Sequence, residues 1–192
     1  SLVSSIAALL GYSQDVAGAR PALEAFLKNL KPEDCVDARV MALVSLTRGG
    51  EFGSPEYDLF VEAAGHPDPS VRKISAFGLG LNQGKTAAPS DVMMSDQGSR
   101  ARTALSSLLK DPVEDVRWNA AIALAGSGNA EAIGILKDLL DQASHVGAKE
   151  GEELTSSRFE VFREAFRAAR KTGDANLAVK VKVISQEHPN LK

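Results

Sequence analysis

The sequence predicts an all-α fold, a solenoid of about five helical hairpins, and three observations predict it. "EDCVDARVMALVSLTRGG" (33–50), "HPDPSVRKISAFGLGLNQG" (66–84) and "DPVEDVRWNAAIALAGSG" (111–128) align with one another, each running from an acidic or His start through an arginine to an Ala-rich stretch and a glycine. Arg39, Arg72 and Arg117 take equivalent places, and Gly50, Gly84 and Gly128 follow them by 11, 12 and 11 residues. Each segment is then followed by apolar residues at the 3.6 spacing of a helix face. The repeated unit is therefore helix A, turn, helix B.

The elements follow in order. The first hairpin, about 2–30, pairs "LVSSIAALL" with "ARPALEAFLKNL"; the second, about 34–65, joins the Arg39 helix to one carrying Leu59, Phe60, Ala63 and Ala64. The third, about 69–110, joins the Arg72 helix to Leu105, Leu108 and Leu109, and the fourth, about 113–141, joins the Arg117 helix to Ile133, Leu136, Leu139 and Leu140. The fifth, about 155–188, pairs "SSRFEVFREAFRAARKTG" with "DANLAVKVKVISQEH". Phe162 stands there where the register would put an arginine, as suits a terminal repeat with a neighbour on one side only. "LAVKVKVIS" alternates with the period of a strand, and its position in the last hairpin assigns it to a helix. Glycine after helix A suits a left-handed C′ residue, and proline after Asp or His suits a first helical turn, where no N–H is needed.

Two connections are longer than the repeat requires. Arg72 to Arg117 is 45 residues against 33 from Arg39 to Arg72, which places an insertion at 82–98. Val92, Met93 and Met94 form an apolar patch in it, and methionine adapts readily at contact surfaces. "QASHVGAKEGEELT" (142–155) joins the last two hairpins and reads as a solvated connection.

The "DPVEDVR" and "HPDPSVR" starts, followed by "NAAIALAGSG" and "ISAFGLGLNQG", resemble HEAT repeats of the α-solenoid class, in particular the bacterial phycobilisome-lyase-like type, from 33 to 141. The resemblance implies a right-handed α-α superhelix of HEAT/ARM type, a single domain over 1–192 and a scaffold without catalytic activity that binds a polypeptide. It implies a ladder in which an Asp six residues before the arginine bonds between repeats. Asp111 stands in that place before Arg117, with Glu33 before Arg39 and His66 before Arg72, so the ladder is expected to lapse at His66. It also implies that the B helices line the concave side. Their polar flanks offer Asp58, Glu62, Arg102, Lys110, Asp138 and Asp141 to a partner, with Met93, Met94 and Trp118 as apolar contacts. Trp118 aligns with Lys73 and Val40 and suits core packing beside Ile122 as well as a contact role.

Composition narrows the function classes. Lys and Arg number 22 against 25 Asp and Glu, a net charge of −3, unlike the basic balance of a dedicated nucleic-acid binder. Cys35 is the single cysteine, which excludes an internal disulfide, and it is expected to be a small buried hydrophobe. No apolar run approaches the length of a membrane span, and "SLVSSIAALLG" lacks the basic start of a secretory signal. A cytoplasmic monomer is expected, although the first residue is not Met and a processed or trimmed chain remains open. "GLGLNQG" has the wrong spacing for a nucleotide loop, Ser127 in "GSGN" lacks a nucleophile elbow and a base, and His66, His145 and His188 lack zinc-ligand spacing. No catalytic residue, cofactor or metal site is expected.

Two alternatives carry their own features. Arg163, Arg167 and Arg170 with Lys171, Lys180 and Lys182 make a basic stripe that a nucleic-acid binder of glycosylase-like build would use. Glu160 and Glu164 interleave with it, however, and pairing along the helix accounts for the arginines. An accessory protein akin to the chromophore lyases of the same repeat type is the other, and no pigment-binding constellation supports it.

Overall fold

The computed structural model describes residues 19–31, 35–48, 54–81, 96–144 and 156–187, which are helical with short turns and contain no strand. The chain forms two compact units, Ser1–Leu108 and Leu109–Lys192.

In the first unit, α1 (Ala19–Asn29), α2 (Val36–Arg48), α3 (Ser54–Ala63), α4 (Pro69–Leu81) and α5 (Asp96–Leu108) alternate between two layers. α2 packs on α4, while α1 packs on α3 and α3 on α5, so A helices stack on A and B helices on B. The heptad-like apolar faces explain this. Leu23 and Leu27 of α1, Ala38, Ala42, Leu43 and Leu46 of α2, Leu59 and Phe60 of α3, Val71 and Leu79 of α4, and Ala101 and Leu105 of α5 are all buried. Gly78 allows α3 and α4 to close up: a β-carbon there would lie within 2.9 Å of three carbons of the Phe60 ring. "GLGLNQG" thus begins as a packing surface inside α4.

The second unit repeats the layering with α6 (Glu114–Leu124), α7 (Ala130–Ser144), α8 (Ser156–Lys171) and α9 (Ala175–Glu187). α6 packs on α8, and α7 packs on α9. A short 3-10 turn, Ala125–Ser127, finishes the first helix of this unit, and Gly128 follows at φ 70, the left-handed conformation expected of it. Gly173 ends α8 in the same way. Asn129 and Asp174 start the next helices, their side-chain oxygens accepting the N–H of Ala132 at 3.0 Å and of Leu177 at 2.8 Å. Phe162 is completely buried, which is why no arginine stands there.

"LAVKVKVIS" is helical, as its position required. Leu177, Val181 and Ile184 face the core at helical spacing, and Val179 and Val183, which gave the strand-like alternation, are exposed. Four expectations need correction. Cys35 is exposed, not buried: it sits immediately before α2 at φ 37, and its carbonyl accepts Arg39 N–H at 3.0 Å. Pro69 does open α4, but Pro112 lies in the bend before α6, where Val113 is the N-cap. The third B helix starts at Asp96, so the insertion ends before 98. Trp118 is 5% exposed and packs in the core. Residues 2–10, Glu33, Gly50, Gly84, Val92, Met93, Met94, His145 and His188 lie outside the described residues.

Candidate protein-binding surface

The aligned arginines hold the turns between hairpins. Arg39 Nη2 donates to the carbonyls of Leu30 and Lys31, both at 2.9 Å. Arg72 Nη1 donates to His66 O at 2.8 Å and Pro67 O at 2.7 Å, and Arg117 Nη1 donates to Asp111 O at 2.8 Å and Pro112 O at 3.1 Å. At Arg117 the expected carboxylate acceptor is therefore replaced by main-chain carbonyls, while Glu33, expected for Arg39, lies outside the described residues. The reason is local. A turn leaving a helix carries carbonyls without helical partners, and a guanidinium on the fourth residue of the next helix, about one turn in, can reach two of them.

The residue six places upstream has a second task. Asp111 Oδ1 accepts Val113 N–H at 2.9 Å, and His66 Nδ1 accepts Asp68 N–H at 3.0 Å. Histidine at this place does not lapse from the pattern; its ring nitrogen closes the same two-residue turn that the carboxylate closes.

The B layers carry the exposed charge. Asp58 and Glu62 of α3 both face solvent, and Asp58 Oδ1 accepts from Arg100 Nη1 of α5 at 2.6 Å. Arg20 of α1 reaches the buried Glu56 of α3 at 2.8 Å. In the second unit Lys137 of α7 pairs with Asp174 at 3.6 Å, and Asp141 of α7 pairs with Lys180 of α9. Arg102 is half-buried, Asp138 is exposed on α7, and Lys110 is exposed in the turn after α5 and not on a helix flank. Two cations of the basic stripe are neutralised along α8, where Arg163 pairs with Glu160 and Arg167 with Glu164, while Arg170 lies 5.5 Å above the Phe166 ring.

Among the described residues two carboxyls are perturbed. The Leu177 N–H, and then Lys137, hold Asp174 below the usual carboxylate range. Partial burial, and next the neighbouring Glu56, push Glu24 upward. Burial also pushes the Tyr57 hydroxyl up, and that hydroxyl has no hydrogen-bond partner among the described residues. Ser127 Oγ donates to Leu124 O at 2.7 Å, the work of a helix-end hydroxyl.

Sequence reasoning missed Arg100 and Lys137, and it placed Lys180 in the basic stripe without its pairing to Asp141. The signal was available for the first: Asp58 and Arg100 are each the fifth residue of successive B helices, so register alone brings them together.

Paired arginines at equivalent turns, A helices on A and B helices on B are now in place, and residues 57–150 match the family model of HEAT repeats. That segment of the chain is similar to HEAT repeats. No curated protein matches it. HEAT repeats commonly mediate protein–protein interaction. The matched segment includes Asp58, Glu62, Arg102, Lys110, Asp138 and Asp141, so these sequence-derived contact residues lie where the chain is similar to HEAT repeats. Among the described residues no helix is long and apolar enough to cross a membrane.

Proposed function

We propose that this HEAT-repeat chain is a non-catalytic module that binds a polypeptide along the flanks of its B helices. The observation that carries the reading is the mixed sign of those flanks. Asp58 faces Arg100 across α3 and α5, and Lys137 and Asp141 alternate along α7 with partners on or before α9. Such a surface complements a chain carrying charges of both signs and gives no continuous positive field to a polyanion. The in-helix pairs of Arg163 and Arg167 support the same choice. The side chains of Glu62 and Asp138 are exposed and form no hydrogen bond or salt bridge among the described residues, which makes them the acidic groups most open to a partner.

The test is site-specific photo-crosslinking from positions 62 and 138, with position 131 as an exposed control, followed by identification of the adducts. Adducts that form at 62 and vanish on Asp138→Lys, or form at 138 and vanish on Glu62→Lys, support the reading. Adducts equal at all three positions oppose it.

A further inference from the structure

We propose that a pocket at one edge of the first unit binds a carboxylate carried on a short aliphatic group. The pocket, about 220 Å3, lies where α1 and α3 end and α2 begins; Leu27, Leu43, Leu59 and Pro67 give it apolar walls, and Arg39 and Glu62 line it as well. It opens where α3 ends and shares Glu62 with the proposed protein-binding flank, but its test, a small-molecule titration, does not depend on that reading.

The argument starts from Arg39. Its residue is 8% exposed, so its charge is held largely out of water. Nη2 spends its two hydrogens on Leu30 O and Lys31 O, both neutral acceptors. Nε is buried with no partner, and no hydrogen bond from Nη1 accompanies those of Nη2 among the described residues. Glu62 borders the same space but forms no salt bridge with Arg39. A buried guanidinium whose hydrogen bonds among the described residues go only to carbonyls keeps most of its desolvation cost, and a planar carboxylate is the ligand that offsets it best. His66 lines the wall as well, its Nδ1 accepting the Asp68 N–H. The apolar side favours an aliphatic body over a phosphate, and Glu62 disfavours a second negative charge.

The experiment is a nitrogen-15 NMR titration with sodium isovalerate, against isovaleramide and sodium chloride at matched ionic strength. Isovalerate is expected to shift the Arg39 Nε–H and the amides of Gly65 and His66 saturably, and the two controls are not. Gly65→Leu adds a side chain at the pocket wall, and its β-carbon meets nothing nearer than Glu62 O at 3.7 Å. It should weaken isovalerate at least about tenfold with an unchanged melting temperature. Glu62→Gln should tighten it about threefold by removing a like charge. Isovaleramide binding as well as isovalerate, or an unchanged titration in Gly65→Leu, overturns the proposal. A further arm compares Gly-Gly-Leu with a free and an amidated end. Free-acid peptide binding tighter than isovalerate assigns the carboxylate to a polypeptide terminus, weaker binding assigns it to a small acid, and equal binding of both peptide forms counts against carboxylate recognition.

Discussion

Gly78 offers a prediction in which two effects of opposite sign compete. Replacing a glycine inside a helix with alanine normally stabilises by about 1 kcal/mol, because the unfolded chain loses freedom and the helix gains propensity. At Gly78 the added carbon would lie within 2.9 Å of three atoms of the Phe60 ring. Phe60 is fully buried, and its carbonyl accepts Ser75 Oγ from α4 at 2.6 Å, so neither the ring nor the helix pair can give way cheaply. Overpacking of this kind costs roughly 1–3 kcal/mol, and a contact with a rigid aromatic ring belongs near the upper end. The net effect of Gly78→Ala should be a loss of about 1–2 kcal/mol after the helix gain is subtracted. Gly134, inside α7, is the internal control: a β-carbon there meets nothing within 4 Å, so Gly134→Ala should stabilise by up to about 1 kcal/mol. Urea denaturation followed by far-ultraviolet circular dichroism measures both. Phe60→Leu in the Gly78→Ala background should recover part of the loss, with a coupling of at least about 1 kcal/mol. Stabilisation by Gly78→Ala equal to that at Gly134 would refute the close approach of α3 and α4.

Arg117→Ala should cost about 1–3 kcal/mol in urea melts, because two turn carbonyls lose a charged donor; Arg117→Lys should recover little, since one ammonium cannot hold both with the guanidinium's geometry. Trp118→Ala should cost about 3–5 kcal/mol as a cavity substitution, with no change in crosslinking from position 62, because the indole is buried. Asp174 is held below its ordinary value of 3.8 by the Leu177 N–H and then by Lys137, so its contribution is complete above that value and is lost as pH falls through the lower folded value. The stability gap between the wild type and Asp174→Ala should therefore narrow on acidification from pH 5 to pH 3, and a gap that widens would contradict the cap.

The hairpins were legible because both ends of each helix are written locally. Gly128 takes the left-handed conformation, Pro69 opens α4, and the apolar faces of α1 to α9 repeat at 3.6 residues. What the sequence could not carry was the acceptor of each arginine. A spacing of six between Asp111 and Arg117 fits an Arg–carboxylate pair as well as it fits an Arg–carbonyl bond, and only the turn's path decides. His66 looked like a gap for the same reason, since residue type conceals that an imidazole nitrogen can close the turn a carboxylate closes. Cys35 misled because burial statistics for cysteine say nothing about a residue placed at a helix start. On the candidate surface, the acidic flanks of α3 and α7 could be read from helix B periodicity. Their pairing with Arg100 and Lys180 depends on how successive helices align, and one helix taken alone does not reveal it.

The central claim, that the flanks of the B helices bind a polypeptide, is tested most directly by the doubly reversed Glu62→Lys, Asp138→Lys chain. Crosslinked partner identified with the wild type should be measured against this variant in the same titration, alongside a fluorescent duplex DNA and a single-stranded RNA over rising salt. The account predicts loss of the partner by at least about tenfold with an unchanged melting curve, and no nucleic-acid binding tighter than about micromolar for either chain. Undiminished partner binding by the reversed chain, or submicromolar nucleic-acid binding by the wild type that collapses with salt, would contradict it.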